Sequence, residues 1–256
     1  MNSSSDKRLY QIALTMIPGV GDITARNILQ AMGDEEVIFK AGKKDLLHKT
    51  NLSPKHIDEI LNPLVLEKAA KELEFGDKNN LRLYFVGDKD YPDRLRECAD
   101  APVLFYFKGD IDFNAEKIIS IVGTRKSTSY GNSFCDKFLQ DISTTIPNTL
   151  IVSGLAYGID IQAHRAALKY NLPTVGVLAH GLDIIYPSVH SQTAAEMMHH
   201  GGVLSEFRSK TEPDRFNFVR RNRIVAGMCD AVIVVESDEK GGSLITAEIA
   251  NSYYKT

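Results

Sequence analysis

The stretch Lys117-Ile-Ile-Ser-Ile-Val-Gly123 decides the fold, because a nearly continuous apolar run ends there at a glycine turn. Such a run over residues 117–122 predicts a strand that is buried on both faces of a sheet. Similar apolar runs occur on both sides of it along the chain. They predict further strands at residues 81–86, 103–107, 149–152, 173–178, 202–205 and 231–235.

Helical patterns separate most of these strands, at residues 129–142, 160–170, 190–200, 220–228 and 244–254. Buried strands that alternate with helices predict an α/β fold with an extended Rossmann-like parallel sheet, covered by helices on both faces. In such a sheet, ligands bind beyond the carboxyl ends of the strands. We therefore expect the functional residues directly after each strand.

The first part of the chain reads as short helices, at residues 10–16, 22–32 and 64–75, with a further helix start at Ser53-Pro54. A polar, turn-rich stretch at residues 76–80 separates the two parts. We predict a small all-helical domain at residues 1–78 and the Rossmann-like domain at residues 79–256. Within the first, Ile17-Pro-Gly-Val-Gly21 resembles a helix-hairpin-helix motif, which either contacts a DNA phosphate or serves packing alone.

Composition excludes several classes of protein. The 256 residues are 43% hydrophobic and carry a net charge of −3, so any nucleic-acid site has to be a local one. Three scattered cysteines predict buried, reduced thiols rather than a disulfide framework or a zinc site. No apolar run approaches the roughly 18–20 residues that a bilayer requires, and the polar N-terminus lacks the apolar core of a signal peptide. We expect a cytoplasmic protein without a membrane span.

Residues suited to anion binding follow three of the predicted strands, where backbone N–H groups and a helix dipole favour a phosphate. The alternative at each is an ordinary turn with solvated side chains. The three sets are Gly123, Thr124, Arg125 and Lys126 after residue 122, Ser153, Gly154 and Gly158 after residue 152, and Gly242 and Ser243 after residue 235. Asp160, a little further on, either caps a helix or orients a neighbouring cation.

A local basic stretch covers residues 207–223, in a chain that is acidic as a whole. It holds six arginines and lysines, against three acidic residues when Glu206 is included. Phe216 and Phe218 alternate with the arginines. Cations suit the phosphates of a single strand and aromatic faces suit its unstacked bases. The alternative is that both phenylalanines belong to the core and the arginines form a solvated face.

Signatures of common enzymes and cofactor sites are missing from the sequence. It has no Gly-x-Gly-x-x-Gly after a strand, no Gly-x-x-x-x-Gly-Lys-Ser/Thr loop, no Gly-x-Ser-x-Gly elbow and no histidine pair with zincin spacing. We expect no cofactor, no metal and no catalytic group.

Six motifs in a fixed order resemble the DNA-processing protein A family, DprA, also called Smf. They are Val122-Gly-Thr-Arg125, Ser153-Gly-Leu-Ala-Tyr-Gly-Ile-Asp160, Leu182-Asp-Ile-Ile-Tyr-Pro187, Ser205-Glu206, Arg221-Asn-Arg-Ile-Val-Ala-Gly227 and Gly242-Ser-Leu-Ile-Thr-Ala247. The resemblance spans roughly residues 80 to 256. The helical segment before it fits the family's sterile-alpha-motif-like or helix-hairpin-helix domain.

This resemblance implies a cytosolic, non-enzymatic protein that binds and protects single-stranded DNA taken up in natural transformation. It also implies partners: the RecA recombinase, which such proteins help to load onto the strand, and a second copy of the chain in a homodimer. The resemblance implies that Arg125 contacts phosphate and base with Thr124 and Lys126 beside it, and that Phe218 stacks on a base. The other implied contact residues are Gly123, Ser153, Gly154, Gly158, Arg215, Arg221, Asn222, Arg223, Gly242 and Ser243.

The sequence departs from the family in two ways. Tyr157 stands where many members carry arginine, which removes one cation. The chain ends at Thr256, which we place inside the helix after Ser243, whereas members usually continue with a strand and often a winged-helix domain. We therefore expect truncated C-terminal elements.

Two other functions stay open at this point. A phosphoribohydrolase that acts on nucleoside monophosphates would use similar glycine turns, with Glu206 or Asp160 as its acid. A bare interaction module would retain the Rossmann-like pocket without using it.

Overall fold

The computed structural model describes the backbone of residues 3–239 and 241–256, and the side chains of that range from residue 7 onward. Met1 and Asn2 of the polar N-terminal stretch, and Lys240, lie outside it. The chain forms two compact units. One comprises the residues up to Asp88 together with Pro102–Leu104, and the other comprises Lys89–Ala101 and Phe105–Thr256.

The first unit consists of six helices and one short strand. They are α1 (Ser3–Thr15), α2 (Asp22–Met32), α3 (Glu35–Lys40), α4 (Lys43–Lys49), α5 (Pro54–Ile60), α6 (Pro63–Lys78) and β1 (Arg82–Phe85). The predicted helix start is confirmed, because the Ser53 hydroxyl accepts a hydrogen bond from the His56 amide and Pro54 is the first residue of α5. Between α1 and α2, Gly19 has a φ of 78°, a left-handed conformation that favours glycine.

The second unit contains the remaining elements. They are α7 (Asp93–Arg96), β2 (Leu104–Asp110), β3 (Ile118–Val122), α8 (Ser129–Thr145), β4 (Leu150–Ser153), α9 (Ile159–Lys169), β5 (Thr174–Val177), a 3-10 turn (Ser188–His190), α10 (Ser191–Met197), β6 (Gly201–Ser205), α11 (Arg215–Gly227), β7 (Ala231–Val234) and α12 (Gly242–Ser252). The exception is Leu104, the first residue of β2, which is assigned to the first unit.

Six strands in this unit lie side by side in the order β2-β6-β5-β4-β3-β7. The predicted parallel sheet is confirmed from β6 through β5, β4 and β3 to β7. The strand β2 differs, because it runs antiparallel to β6 with Tyr106 opposite Ser205. The chain passes from β3 outward through β4, β5 and β6 and then returns to the other side of β3 as β7. The carboxyl ends of β3 and β7 therefore flank a topological switch point, where open α/β sheets bind ligands.

Apolar clusters hold the helices to this sheet. One joins α8 and α9 to β3 and β4 through Ile121, Leu139, Ile151 and Ala163, and a second surrounds Met197 of α10. All three cysteines are buried and free, as predicted. Burial raises the pKa of the Cys98 and Cys135 thiols to about 11, so neither is a reactive thiolate near neutral pH. In the part of the chain that the structure describes, no helix is both long and apolar enough to cross a membrane.

Three helices of the second unit differ from the sequence prediction. The helix predicted at 190–200 is shorter: α10 spans Ser191–Met197, and a 3-10 turn at Ser188–His190 precedes it. The helix predicted at 220–228 starts five residues earlier, because the Asp214 carboxylate accepts a hydrogen bond from the Phe216 amide and caps α11. The last helix was predicted at 244–254 with Thr256 inside it, but α12 ends at Ser252. There the Tyr253 amide donates to the carbonyls of Ile249 and Ala250 and closes the helix.

Candidate functional site

A cavity of about 950 Å³ opens at the carboxyl ends of β3 and β7. The segments after β3 and β7 and the first half of α11 line it, together with residues 184–188 and the turn around Tyr157. The structure brings ten of the predicted site residues to this cavity: Gly123, Thr124, Arg125, Lys126, Arg215, Phe218, Arg221, Asn222, Gly242 and Ser243.

Arg125 and Phe218 form the centre of the cavity wall. The Arg125 side chain is exposed, and its guanidinium carbon lies 5.0 Å from the centroid of the half-buried Phe218 ring. The Tyr186 ring lies 6.2 Å from the same ring, tilted by 51°. A guanidinium over an aromatic face makes a cation–π contact. The wall therefore presents one exposed positive charge and two neighbouring aromatic rings.

Two further cations lie at the edge of this wall. Lys126 is exposed, and its backbone amide donates to the Thr124 hydroxyl at 3.2 Å. Arg215 is also exposed, and its guanidinium carbon lies 4.6 Å from the centroid of Phe216, a ring that is 67% exposed. Among the residues that the structure describes, neither side chain is recorded in an ion pair, so both can approach an anion in the cavity without breaking one.

The backbone after β3 is held by close packing that only glycine allows. Gly158 has a φ of 76°, and a side chain there would overlap the Thr124 carbonyl. The Ile159 amide donates to that same carbonyl at 3.1 Å. A Cβ atom at Gly123 would likewise overlap Ile159. Gly158 therefore packs directly against the turn that carries Arg125. Gly158 itself is not among the described residues that line the cavity.

A carboxylate lies at the beginning of α8, beside this turn. One oxygen of Glu236 accepts a hydrogen bond from the Thr128 amide at 2.9 Å, and the other accepts from the Thr128 hydroxyl. The Glu236 carbonyl accepts from the Thr124 amide at 2.7 Å. The hydrogen bonds from Thr128 lower the pKa of the Glu236 carboxyl, so it is ionised at neutral pH.

Arg221 reaches the cavity floor as a buried residue, with 4% of its surface exposed. Its Nη1 donates to the Val177 carbonyl at 2.5 Å, and a Cβ atom on Gly154 would overlap this guanidinium. Burial lowers the Arg221 pKa to about 10 and raises that of the buried Asp160, while their mutual attraction opposes both shifts. The Gly154 amide donates to Asp160 at 3.2 Å. Arg221 is therefore built into the cavity floor, where its charge faces inward.

Four predicted site residues are not among the described residues that line the cavity: Ser153, Gly154, Gly158 and Arg223. The Ser153 hydroxyl donates to the Ile121 carbonyl at 2.6 Å inside the sheet. Arg223 is buried, and its Nη2 binds Glu206 at 2.6 Å, while Arg220 binds the same oxygen at 2.7 Å. Glu206 thus neutralises two cations of the basic stretch, which the residue count alone could not show.

Three residues near the cavity were not assigned a role from sequence. Tyr186 precedes a cis peptide bond to Pro187 and is 47% exposed, and Tyr157 is 48% exposed beside the His190 ring. Both belong to motifs that carry the family resemblance, so a signal for them was present. Glu236 directly follows the last predicted strand, where an acidic residue gave no reason to expect a partner 108 residues away. Among the described residues, no group of histidine, cysteine, aspartate or glutamate is arranged to hold a metal ion.

Comparison with known proteins places this chain in a family. The family model described as DNA recombination-mediator protein A matches residues 82–256. The Smf protein of Synechocystis is 33% identical over 254 residues, which cover 98% of this chain and 63% of that protein. DprA of Streptococcus pneumoniae is 40% identical over 167 residues, which cover 65% of this chain and 58% of that protein.

Two solved structures are similar over most of the chain. The crystal structure of DprA from Streptococcus pneumoniae superimposes with a TM-score of 0.75 at 30% identity, covering 96% of this chain and 84% of that one. DNA processing protein A from Helicobacter pylori, whose structure concerns its single-stranded DNA binding mode, gives a TM-score of 0.62 at 29% identity, covering 68% and 78%. The chain belongs to the DNA recombination-mediator protein A family, and it spans about 60% of the length of these curated relatives.

Proposed function

We propose that this member of the DNA recombination-mediator protein A family binds single-stranded DNA in the cavity at the ends of β3 and β7. The observation that carries the proposal is the exposed Arg125 guanidinium against the Phe218 ring, with Tyr186 beside it. The names of the family and of the relatives, and the single-stranded DNA binding mode described for the Helicobacter pylori protein, support a role in DNA processing and recombination. The proposed role in natural transformation rests on the family resemblance.

The chemistry of the wall suits a single strand better than a duplex. Arg125, Lys126 and Arg215 neutralise backbone phosphates, and each phosphate neutralised on a single strand contributes about −0.7 to the slope of log affinity against log salt. Phe218 and Tyr186 offer planes to unstacked bases, worth roughly 1–3 kcal/mol per base. Neither kind of contact reads a base edge, so we propose binding that tolerates any base sequence.

Fluorescence anisotropy with a labelled oligothymidine tests this proposal. We expect Arg125→Ala and Phe218→Leu each to weaken binding about tenfold, which is about 1.4 kcal/mol. Arg165→Ala on α9 and Phe134→Leu on α8 are matched controls outside the cavity, and both should bind as the wild type does. Equal binding by the wild type and both cavity variants would refute the proposed site.

We propose that the chain acts without catalysis. Of the two carboxyl groups that a phosphoribohydrolase could use as its acid, Glu206 binds Arg220 and Arg223 and is not among the described residues that line the cavity. Asp160 belongs to the cavity lining, but it is buried beside Arg221 and accepts from the Gly154 amide. Incubation with nucleoside monophosphates should therefore release no free base. Release that disappears in Asp160→Asn or Glu206→Gln would instead establish the enzyme.

Two proposed partners rest on the family resemblance, namely RecA and a second copy of the chain. If the chain loads RecA, it should shorten the lag of RecA assembly on oligothymidine coated with single-strand-binding protein. Sedimentation equilibrium measures self-association directly and should give twice the 28.4 kDa mass of one chain. An unchanged lag would show that the chain does not load RecA. The mass of a single chain at the highest concentration would show that it does not form a homodimer.

A further inference from the structure

The first crossover of the Rossmann-like unit, from β3 to α8, holds an acidic side chain where many related folds hold a phosphate. In dinucleotide-binding folds the pyrophosphate lies at the beginning of the helix after the first strand of the motif, where free amides and the helix dipole favour negative charge. Here Glu236, from the segment after β7, supplies that negative charge from within the chain.

The contacts place the Glu236 carboxylate against the first turn of α8. Its Oε2 accepts from the Thr128 amide at 2.9 Å, and the Thr128 hydroxyl accepts in turn from the Gly131 amide at 3.2 Å. A Cβ atom on Gly131 would overlap Oε2, so the carboxylate lies directly on the helix turn. A phosphate at this position would have to displace the carboxylate, because the two anions need the same donors and repel each other.

Neither Glu236 nor Thr128 is among the described residues that line the cavity, so this position lies beside the cavity, at the end of the turn that contains Lys126. We propose that Glu236 determines the specificity of the site by closing the anion position at the start of α8, next to the cavity, to free mononucleotides. This inference rests on the proposed function and names the feature that separates a polynucleotide ligand from a nucleotide one. A DNA strand still binds, because its phosphates are neutralised along the exposed arginines of the wall instead of at the helix.

The same residue also positions Arg125. Its backbone carbonyl accepts from the Thr124 amide and its carboxylate holds Thr128, so Glu236 binds both ends of the turn that carries Arg125. Gly158 and Ile159 support that turn from the other side. Glu236 is therefore a positioning residue for DNA binding as well as a barrier to phosphate.

Isothermal titration calorimetry with inorganic phosphate and with deoxythymidine monophosphate tests the barrier. Wild-type protein should show no phosphate binding at millimolar concentration, and it should bind the monophosphate no more tightly than thymidine. Glu236→Ala vacates the position, so it should gain phosphate binding and prefer the monophosphate over thymidine at least tenfold. Glu239→Ala removes the same charge three residues further on and should behave as wild type.

Glu236→Gln serves as the second variant, since its amide oxygen still accepts from the Thr128 amide while the charge and the second acceptor oxygen are lost. It should fold and acquire phosphate binding weaker than that of Glu236→Ala. If folded Glu236→Ala and Glu236→Gln both fail to bind phosphate, or if the wild type already binds it, the inference is wrong. These titrations contain no oligonucleotide, so their outcome is separate from that of the proposed DNA binding.

A labelled oligothymidine tests the positioning role. Glu236→Ala should bind it at least fivefold more weakly while gaining phosphate, so the ratio of the two affinities shifts toward the mononucleotide by more than tenfold. If Glu236 had a purely structural role, the variant would bind both oligothymidine and phosphate more weakly. Unchanged oligothymidine binding by Glu236→Ala would overturn this part of the inference.

Discussion

At the scale of single residues, burial divides the arginines around the cavity into two kinds. Arg125 and Arg215 are exposed and contact aromatic rings, whereas Arg221 and Arg223 are buried and hold neighbouring groups in place. An exposed cation exchanges water for a phosphate at little cost. A buried cation has already lost its hydration when the chain folded. Removing it leaves the buried groups that it contacts without a partner, which lowers stability.

Arg221→Ala should therefore affect stability rather than binding alone. It removes the guanidinium that donates to the Val177 carbonyl and that offsets the charge of the buried Asp160. We expect a loss of about 3–5 kcal/mol in the free energy of unfolding, measured by urea denaturation. Arg125→Ala, the exposed counterpart, should change it by less than about 0.5 kcal/mol. Equal losses would show that the two arginines are not divided by burial in this way.

The buried His164 side chain should make the stability of the fold depend on pH. It is fully buried, its Nδ1 lies 2.7 Å from the Thr174 hydroxyl, and its Nε2 has no partner among the described residues. Burial is the main cause that lowers its pKa from near 6.5 to about 3, and the nearby charge of Arg221 lowers it further. Below pH 6.5 the unfolded chain therefore takes up a proton that the folded chain does not, and stability falls as the pH falls.

The size of this effect follows from linkage. At pH 5.5 the proton uptake costs about 1.4 kcal/mol of stability relative to pH 8. His164→Asn keeps a donor for Thr174 but cannot titrate. Between pH 8 and pH 5.5 its free energy of unfolding should therefore fall by about 1.4 kcal/mol less than that of the wild type. Parallel pH profiles for the wild type and the variant would contradict this assignment.

At the scale of elements, α11 connects the fold to the site. Asp214 caps the helix, and the first turn then carries Arg215 and Phe218 into the cavity. The Asp214→Ala variant should lose about 1 kcal/mol of stability and bind oligothymidine more weakly, since the first turn frays. Asn62→Ala removes the cap of α6 in the other unit and should cost similar stability without changing binding. Loss of binding in both variants would point to general destabilisation.

Local patterns predict the elements better than they predict their partners. The apolar run that ends at Gly123 identified β3 because burial on both faces excludes polar residues from a strand. The same pattern does not give strand direction, so the antiparallel pairing of β2 with β6 was not foreseen. The start of α11 was placed too late, because its first turn is polar and aromatic and the Asp214 cap was counted only as a charge.

The site follows the same division. The glycine turns and the aromatic among arginines are local signals, and ten of the fourteen residues assigned from these signals and from the family resemblance line one cavity. The pairing of Arg223 with Glu206 and of Thr128 with Glu236 depends on packing between distant segments. Sequence spacing carries no such information, which is why Arg223 was predicted as a contact and Glu236 was not considered.

At the scale of the whole molecule, a net charge of −3 has to be reconciled with the proposed binding of a polyanion. The distribution of charge resolves this, because Arg125, Lys126 and Arg215 are concentrated at one edge of the sheet. Local cations attract phosphates within roughly 8–10 Å at physiological salt, beyond which the charge of the remaining surface is screened. Affinity should therefore depend steeply on salt, even though the chain as a whole is acidic.

The salt dependence of oligothymidine binding, measured for the wild type and for Arg125→Ala, tests the central claim most directly. If the strand lies along the wall of the cavity, log affinity falls linearly with log salt, and removing Arg125 reduces the steepness by about 0.7, the contribution of one phosphate. Identical slopes for the two proteins, or affinity that does not change with salt, would show that Arg125 does not contact the strand and that the cavity is not where DNA binds.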